Sequence, residues 1–204
     1  MRPLAGLVIA YLAGSIPFAY LAGRLFKGID LREHGSGNLG ATNVFRVMGW
    51  KIASLVMALD MAKGALPVLL LPPRVAPAHA ELWAIAFGVA AIVGHVRSVF
   101  LLWKGGGKGV ATAGGVFLAL APVASLISIA VFAAVVYLTG YVSLGSLSSA
   151  VVLTVTVVIM KGARSPVAIA CAVITAFVFW THRANIGRLR RGEENRFRRA
   201  RPAA

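Results

Sequence analysis

The apolar stretch that decides the fold is VATAGGVFLALAPVASLISIAVFAAVVY, which occupies positions 110–137. It is too long for one ordinary membrane helix of about 20 residues, and it lacks the alternation of a membrane barrel strand. Pro122 lies near its middle, where a proline removes a backbone hydrogen bond and breaks or kinks a helix. We therefore predict a short helix at 110–120 and a fuller one at 123–138.

Five further apolar runs predict membrane helices. They lie at 4–25, 48–71, 82–103, 144–160 and 165–181. A helix pairs all of its backbone groups internally, which the bilayer core requires. The sequence therefore predicts an all-α polytopic membrane protein with seven helices, of which 110–120 is too short to cross fully. We predict a single membrane-embedded domain at 1–195 and a basic tail at 196–204.

The composition supports this class. Hydrophobic residues make up 59% of the 204 positions and charged residues only 13%, well below the roughly 25% of a soluble domain. The net charge of +15 would indicate nucleic acid in a soluble protein, but membrane proteins carry excess Lys and Arg on cytoplasmic loops. We therefore predict the lipid bilayer, and no nucleic acid, as a partner. The single cysteine excludes an intramolecular disulfide and a CxxC motif.

The basic residues also predict an orientation. Segments 24–51, 97–108 and 183–201 hold five, three and eight of them. The opposite loops hold only Arg2, Arg74, Lys161 and Arg164. Because the basic side of a membrane protein is cytoplasmic, we place the amino terminus outside and the carboxyl terminus inside.

Two glycine-rich polar segments lie on the predicted cytoplasmic side. The first, HGSGNLGATNVFR at 34–46, is typical of a loop that supplies hydrogen-bond donors for an anion. The second, WKGGGKGVAT at 103–112, combines two lysines with glycines just before an apolar run. The start of that helix would direct its positive end toward a phosphate.

The third polar segment, HRANIGRLRRGEEN at 182–195, follows the last span. If that helix continues through it, His182 and Asn185 share one face. We expect Glu194 to pair with an arginine nearby, one of Arg188, Arg190 or Arg191, rather than to act as an acid or base. All three polar segments fall on one side of the membrane, which predicts one cytoplasmic site.

Three buried polar residues leave alternatives open. Asp60 and Lys63 have helical i, i+3 spacing and form either a pair that holds helices together or part of the site. His95 either forms a hydrogen bond between helices or takes a direct catalytic part.

The ordered series of motifs resembles the bacterial acyl-phosphate:glycerol-3-phosphate acyltransferase family, the PlsY type. The matching stretches are GSIPF at 14–18, GIDLR at 28–32, HGSGNLGATN at 34–43 with Arg46, Asp60 with Lys63 and Gly64, Gly94 with His95, GGKGVAT at 106–112, YVSLGS at 141–146 and HRxNI at 182–186. One departure is a third glycine between Lys104 and Lys108, where the family has Lys-Gly-Gly-Lys-Gly. We align Lys108 with the functional lysine of the family.

The resemblance implies an enzyme that moves a fatty acyl group from acyl-phosphate to the 1-hydroxyl of glycerol-3-phosphate, without acyl-CoA or acyl carrier protein. We predict the catalytic residues Ser36, Arg46, Lys108, His182 and Asn185. We predict the substrate-binding residues Gly37, Asn38, Thr42, Asn43, Lys104, Gly106, Gly107, Gly109 and Thr112. No metal or other cofactor is expected, and the predicted protein is a monomer of the bacterial inner membrane.

Other functions stay open on the sequence. No histidine is followed five positions later by an aspartate, so the dyad of the acyltransferases with soluble donors is absent. A small transporter for an anionic solute would also use broken helices and glycine loops, although such sites lie near the membrane midplane between repeats. A purely structural subunit would leave the loop at 34–46 unexplained.

Overall fold

The computed structural model describes residues 3–75 and 77–197, and every regular element within them is a helix. This confirms the all-α class. The α-helices are α1 Pro3–Ser15, α2 Phe18–Lys27, α3 Ala41–Met48, α4 Trp50–Leu70, α5 Pro72–Val75, α6 Ala80–Val96, α7 Val110–Leu120, α8 Pro122–Thr139, α9 Val142–Lys161, α10 Pro166–Thr181 and α11 Arg183–Arg190. Short 3₁₀ helices lie at Leu31–Glu33, Pro77–His79 and Val99–Leu101.

The long apolar stretch divides where the sequence predicted. Helix α7 ends at Leu120, and α8 begins at Pro122, in the first turn where a proline costs no hydrogen bond. The same rule applies to the first run, which we predicted as one helix at 4–25. There α1 ends at Ser15 and α2 begins at Phe18, because Pro17 interrupts the backbone ladder.

Five helical segments of the described chain are long and apolar enough to cross a membrane. They are Pro3–Lys27, Trp50–Val75, Ala80–Leu101, Pro122–Thr139 and Val142–Lys161. A sixth results if α10 and α11, which meet at a 60° bend, count as one span. Helix α7 has 11 residues and is shorter than a full span, as predicted.

The chain forms two compact units, Met1–Leu120 and Ala121–Ala204. In the first unit, α1 packs on α6 and α4 packs on α7. Glycines permit these close approaches: a Cβ on Gly14 would overlap the Ala91 carbonyl, and one on Gly115 would overlap the Met61 carbonyl. In the second unit, α9 packs against both α8 and α10. Residues 198–204 of the predicted tail lie outside the described residues.

Candidate active site

The first polar segment is anchored by a carboxylate that comes just before it. Asp30 caps the 3₁₀ helix at Leu31–Glu33, and its Oδ1 accepts a hydrogen bond from the Arg32 N–H at 3.0 Å. Its carboxylate also pairs with the guanidinium groups of Arg32 at 2.6 Å and Arg24 at 3.3 Å. The hydrogen bond from Arg32 outweighs burial and lowers the pKa of Asp30 to about 2. Asp30 therefore stays ionised and fixes where the loop begins.

Asn43 holds the rest of this loop in shape. Its Oδ1 accepts the Ser36 N–H at 2.8 Å, and its Nδ2 donates to the carbonyls of Leu31 at 3.3 Å and His34 at 3.0 Å. Gly35 has a left-handed φ of +64°, and a Cβ there would overlap the Asn43 amide oxygen. The side chain predicted as a substrate ligand is thus 1% exposed and bonded to the loop itself.

The predicted loop at 34–46 ends earlier than the sequence suggested. Helix α3 begins at Ala41, so Asn43 lies in its first turn and Arg46 in its last. We missed this helix because its eight residues are amphipathic and too short to form an apolar run. Both Ser36 and Arg46 are exposed. Three predicted binding residues are half-buried: Gly37, Asn38 and Thr42.

The second polar segment lies against the first within the same unit. The Leu39 N–H donates to the Gly106 carbonyl at 3.3 Å, and Arg32 Nη1 donates to the Lys104 carbonyl at 3.5 Å. The structure therefore brings together two glycine-rich segments that are far apart in sequence. Their basic side chains, polar backbone groups and exposed Ser36 suit an anionic ligand.

The two lysines of the second segment differ in their surroundings. Lys104 is exposed, whereas Lys108 is half-buried. Gly109 adopts a left-handed φ of +84° and turns the chain into α7, so Lys108 stands just before the positive end of that helix.

Thr112, in the first turn of α7, is fully buried. The backbone and methyl group of Thr112 pack on Gly64 of α4. Its hydroxyl has no hydrogen-bond partner in the described part of the chain. Its role in substrate binding stays a prediction.

The predicted pair in α4 forms inside the first unit. Lys63 Nζ lies 2.8 Å from Asp60 Oδ1 and donates a hydrogen bond to the Ile16 carbonyl, also at 2.8 Å. The geometry at Asp60 Oδ1 is that of an ion pair rather than of a hydrogen bond. Ile16 lies at the break between α1 and α2, and its carbonyl also accepts the Phe18 N–H at 3.1 Å. The pair thus ties α4 to that break.

We placed His182 and Asn185 on one helix face on the condition that the last helix continues through the third polar segment, and that condition is not met. The helix ends at Thr181 and resumes at Arg183 after a 60° bend, with His182 between the two parts. His182 is buried, and its Nδ1 lies 2.8 Å from the Val178 carbonyl. His182 and Asn185 therefore do not share one continuous helix face.

In the second unit, Glu194 gathers three side chains. Its Oε1 accepts hydrogen bonds from Asn185 Nδ2 at 2.6 Å and Ser143 Oγ at 2.8 Å, and its Oε2 pairs with Arg188 at 2.7 Å. The predicted pairing with a nearby arginine is confirmed at Arg188. Burial raises the pKa of Glu194, but these three hydrogen bonds outweigh it and hold the pKa below its usual range.

Sequence reasoning selected Asn185 but not Ser143. Ser143 lies in the YVSLGS stretch at 141–146 that resembled the family, but that resemblance gave it no separate role, and a serine at the start of a membrane helix is not distinctive by itself. Within residues 3–75 and 77–197, no three His, Cys, Asp or Glu side chains are placed to hold a metal ion.

The comparisons with known proteins agree in one family. A family model described as glycerol-3-phosphate acyltransferase matches residues 4–192. The glycerol-3-phosphate acyltransferase of Trichlorobacter lovleyi is 48% identical over 189 residues, which cover 93% of this chain and 94% of that protein.

Two crystal structures of PlsY (YgiH), an integral membrane glycerol 3-phosphate acyltransferase, have a similar fold. The glycerol 3-phosphate form has a TM-score of 0.88 and 37% identity and covers 96% of each chain. The lysophosphatidic acid form has a TM-score of 0.84 and 36% identity and covers 95% of this chain and 94% of that one. These matches favour an enzyme over a transporter or a structural subunit, and the chain belongs to the glycerol-3-phosphate acyltransferase family of integral membrane enzymes.

Proposed function

We propose that this acyltransferase moves a fatty acyl group from an acyl-phosphate to the 1-hydroxyl of glycerol-3-phosphate, forming lysophosphatidic acid and phosphate. The forms in which the similar PlsY was solved support the acceptor and the product. We further propose a monomer of the bacterial inner membrane with its amino terminus outside, its site on the cytoplasmic side, one catalytic domain at 1–195 and a basic tail beyond it.

The observation that carries this proposal is the contact between the two glycine-rich segments. The hydrogen bond from Leu39 to Gly106 joins the segment that holds Ser36 to the segment that holds Lys108. Arg46 and Lys108 supply positive charge, and the start of α7 supplies backbone N–H groups. Both proposed substrates carry phosphate, so one such surface suits their common group.

The reaction needs little acid catalysis, because an acyl-phosphate is a mixed anhydride with a good leaving group. The 1-hydroxyl oxygen attacks the acyl carbon, the carbon–oxygen bond to phosphate breaks, and the hydroxyl proton passes to a phosphate oxygen of a substrate. The protein then contributes positioning and stabilisation of charge. We assign Arg46 and Lys108 to the phosphates and Ser36 to a hydrogen bond with phosphate or the developing oxyanion.

His182 and Asn185 remain our further catalytic candidates. Glu194 accepts a hydrogen bond from Asn185 Nδ2, so the orientation of that amide is set by the carboxylate. This arrangement favours a role for the Asn185 amide as a fixed polar group rather than as a mobile acid or base.

A donor comparison with purified protein tests the proposed reaction. We expect lysophosphatidic acid and phosphate from glycerol-3-phosphate with acyl-phosphate, and no product when acyl-CoA or acyl carrier protein thioester replaces it at equal concentration. Turnover with a thioester but not with acyl-phosphate would refute the proposed donor.

Labelling of single cysteines tests the proposed orientation. Cys171 is the only native cysteine and is buried, so Cys171→Ser provides a clean background. Lys104→Cys and Arg164→Cys place thiols at two exposed positions. An impermeant reagent should label Lys104→Cys only in inside-out vesicles and Arg164→Cys only in right-side-out ones, and the reverse pattern would invert the proposed topology.

A further inference from the structure

Three ionisable side chains buried in the long apolar helices of the first unit have no part in the proposed chemistry. Asp60 and Lys63 of α4 are 1% and 5% exposed, and His95 of α6 is 7% exposed. Ionisable groups within membrane helices are expensive to bury and are retained where they have a specific task. Lys63 has one such task at the Ile16 carbonyl, but this does not account for His95.

His95 connects the pair in α4 with the second glycine-rich segment. On one side, its Nδ1 lies 3.6 Å from Asp60 Oδ1, an electrostatic contact rather than a hydrogen bond. On the other side, its ring lies against Gly107, where an added Cβ would overlap Nε2. The Gly107 N–H also donates to the His95 carbonyl at 3.4 Å. Both the ring and the backbone of His95 therefore touch the residue just before Lys108.

We propose that His95 is a positioning residue: its ring, which lies between the buried Asp60–Lys63 pair and Gly107, supports Gly107 and thereby sets where Lys108 meets a substrate phosphate. This inference rests on the proposed function only in that Lys108 binds phosphate. The ring acts through the loop and touches no reacting atom.

The physical reason is the steep dependence of positioning on distance. A displacement of about 1 Å caused by a change outside the chemistry can cost on the order of a hundredfold in rate. A glycine segment does not hold its own shape, because it has unusual conformational freedom. A rigid ring packed beneath it, 3.6 Å from a buried carboxylate, supplies the constraint that the glycines lack.

The ring contact can be tested by relieving it. In the wild-type background, Gly107→Ala should raise the apparent KM for the substrate that Lys108→Ala affects, by about tenfold or more, since the new methyl group displaces the loop. The three atoms nearest to that methyl group all belong to the His95 ring, so in a His95→Ala background adding Gly107→Ala should change that KM by less than about threefold. Gly107 has no left-handed φ, so alanine brings no backbone strain of its own.

Gly106→Ala is the matched control. A Cβ on Gly106 would overlap the Val96 carbonyl, which belongs to the backbone and stays in place when His95 is shortened. Its effect on KM should therefore be the same in both backgrounds. Thermal unfolding of each purified variant accompanies the kinetics, because simple destabilisation lowers the amount of active enzyme without raising KM.

The outcomes separate this inference from the proposed function. No turnover of acyl-phosphate by the wild type would refute the proposed function alone. If the wild type turns over acyl-phosphate and Gly107→Ala raises KM equally in both backgrounds, the proposed role of His95 is overturned. If His95→Ala is not recovered folded, His95→Asn replaces it in the same comparison, because the shorter asparagine side chain also removes the ring from its contact with Gly107.

Discussion

Replacing Asn43 by alanine should release the first polar loop. Asn43 makes three hydrogen bonds to that loop from a position that is 1% exposed. Each such bond contributes about 0.5–1.5 kcal/mol net, so losing all three in Asn43→Ala should lower the free energy of local opening by about 1.5–4.5 kcal/mol. Because about 1.4 kcal/mol corresponds to tenfold, the Ser36 amide should exchange its proton about 10- to 1,500-fold faster.

Hydrogen–deuterium exchange of the peptide at 31–40 measures this opening directly. Asn38→Ala is the control, because Asn38 lies in the same loop but does not make the three hydrogen bonds that Asn43 makes. Loss of activity in Asn43→Ala should accompany the faster exchange, since Ser36 loses its fixed place. Unchanged exchange at Ser36 together with a raised KM would refute the structural role and favour direct substrate binding by Asn43.

Three further predictions concern charge and mechanism. Arg46→Ala and Lys108→Ala should each raise the KM for a phosphate substrate by about ten- to a hundredfold, and Lys104→Ala should raise it less. Unchanged steady-state kinetics in folded Arg46 and Lys108 variants would contradict their role in binding phosphate. Ser36→Ala should lower the rate by about ten- to a thousandfold. Mass spectrometry of wild-type protein quenched during turnover should find no acyl adduct on Ser36. An adduct that forms and discharges at the catalytic rate would overturn direct transfer. The folded-state pKa of Asp30, about 2, lies below its ordinary 3.8, so its ion pairs should stabilise the protein above about pH 4 and lose that effect as the pH falls toward 2. Thermal unfolding should therefore show a difference between wild type and Asp30→Asn that shrinks over this range, and a constant difference would contradict it.

The sequence predicted the membrane helices well because their signal is local. A run of apolar residues has no stable place except lipid or a protein core, and Pro122 marked the division of the longest run. Pro17 carried the same signal, and the error there was to treat the run as one helix. The bend at His182 had no comparable mark, because neither proline nor glycine stands at the break.

The candidate site was predictable in its parts but not in its division of tasks. Ser36 and Asn43 both lie in a polar glycine-rich segment, and each side chain can bind a ligand or the backbone. Only the hydrogen bonds from Asn43 Nδ2 to the carbonyls of Leu31 and His34 show that this side chain holds the backbone of the loop. Likewise, the spacing of Asp60 and Lys63 predicted their pair, whereas the contact with His95 joins two helices and leaves no trace in local sequence.

The extra glycine of the second segment can be placed by its contacts. Gly106 and Gly107 lie against the end of α6, at Val96 and His95, so little room exists there for another backbone position. Gly105 instead has a left-handed φ of +88° and lies near the Arg32 side chain, toward the exposed Lys104. An added residue is most easily accommodated on that exposed side. We therefore expect Lys108 to keep its place relative to α6 and α7, and its alignment with the functional lysine of the family stays a prediction.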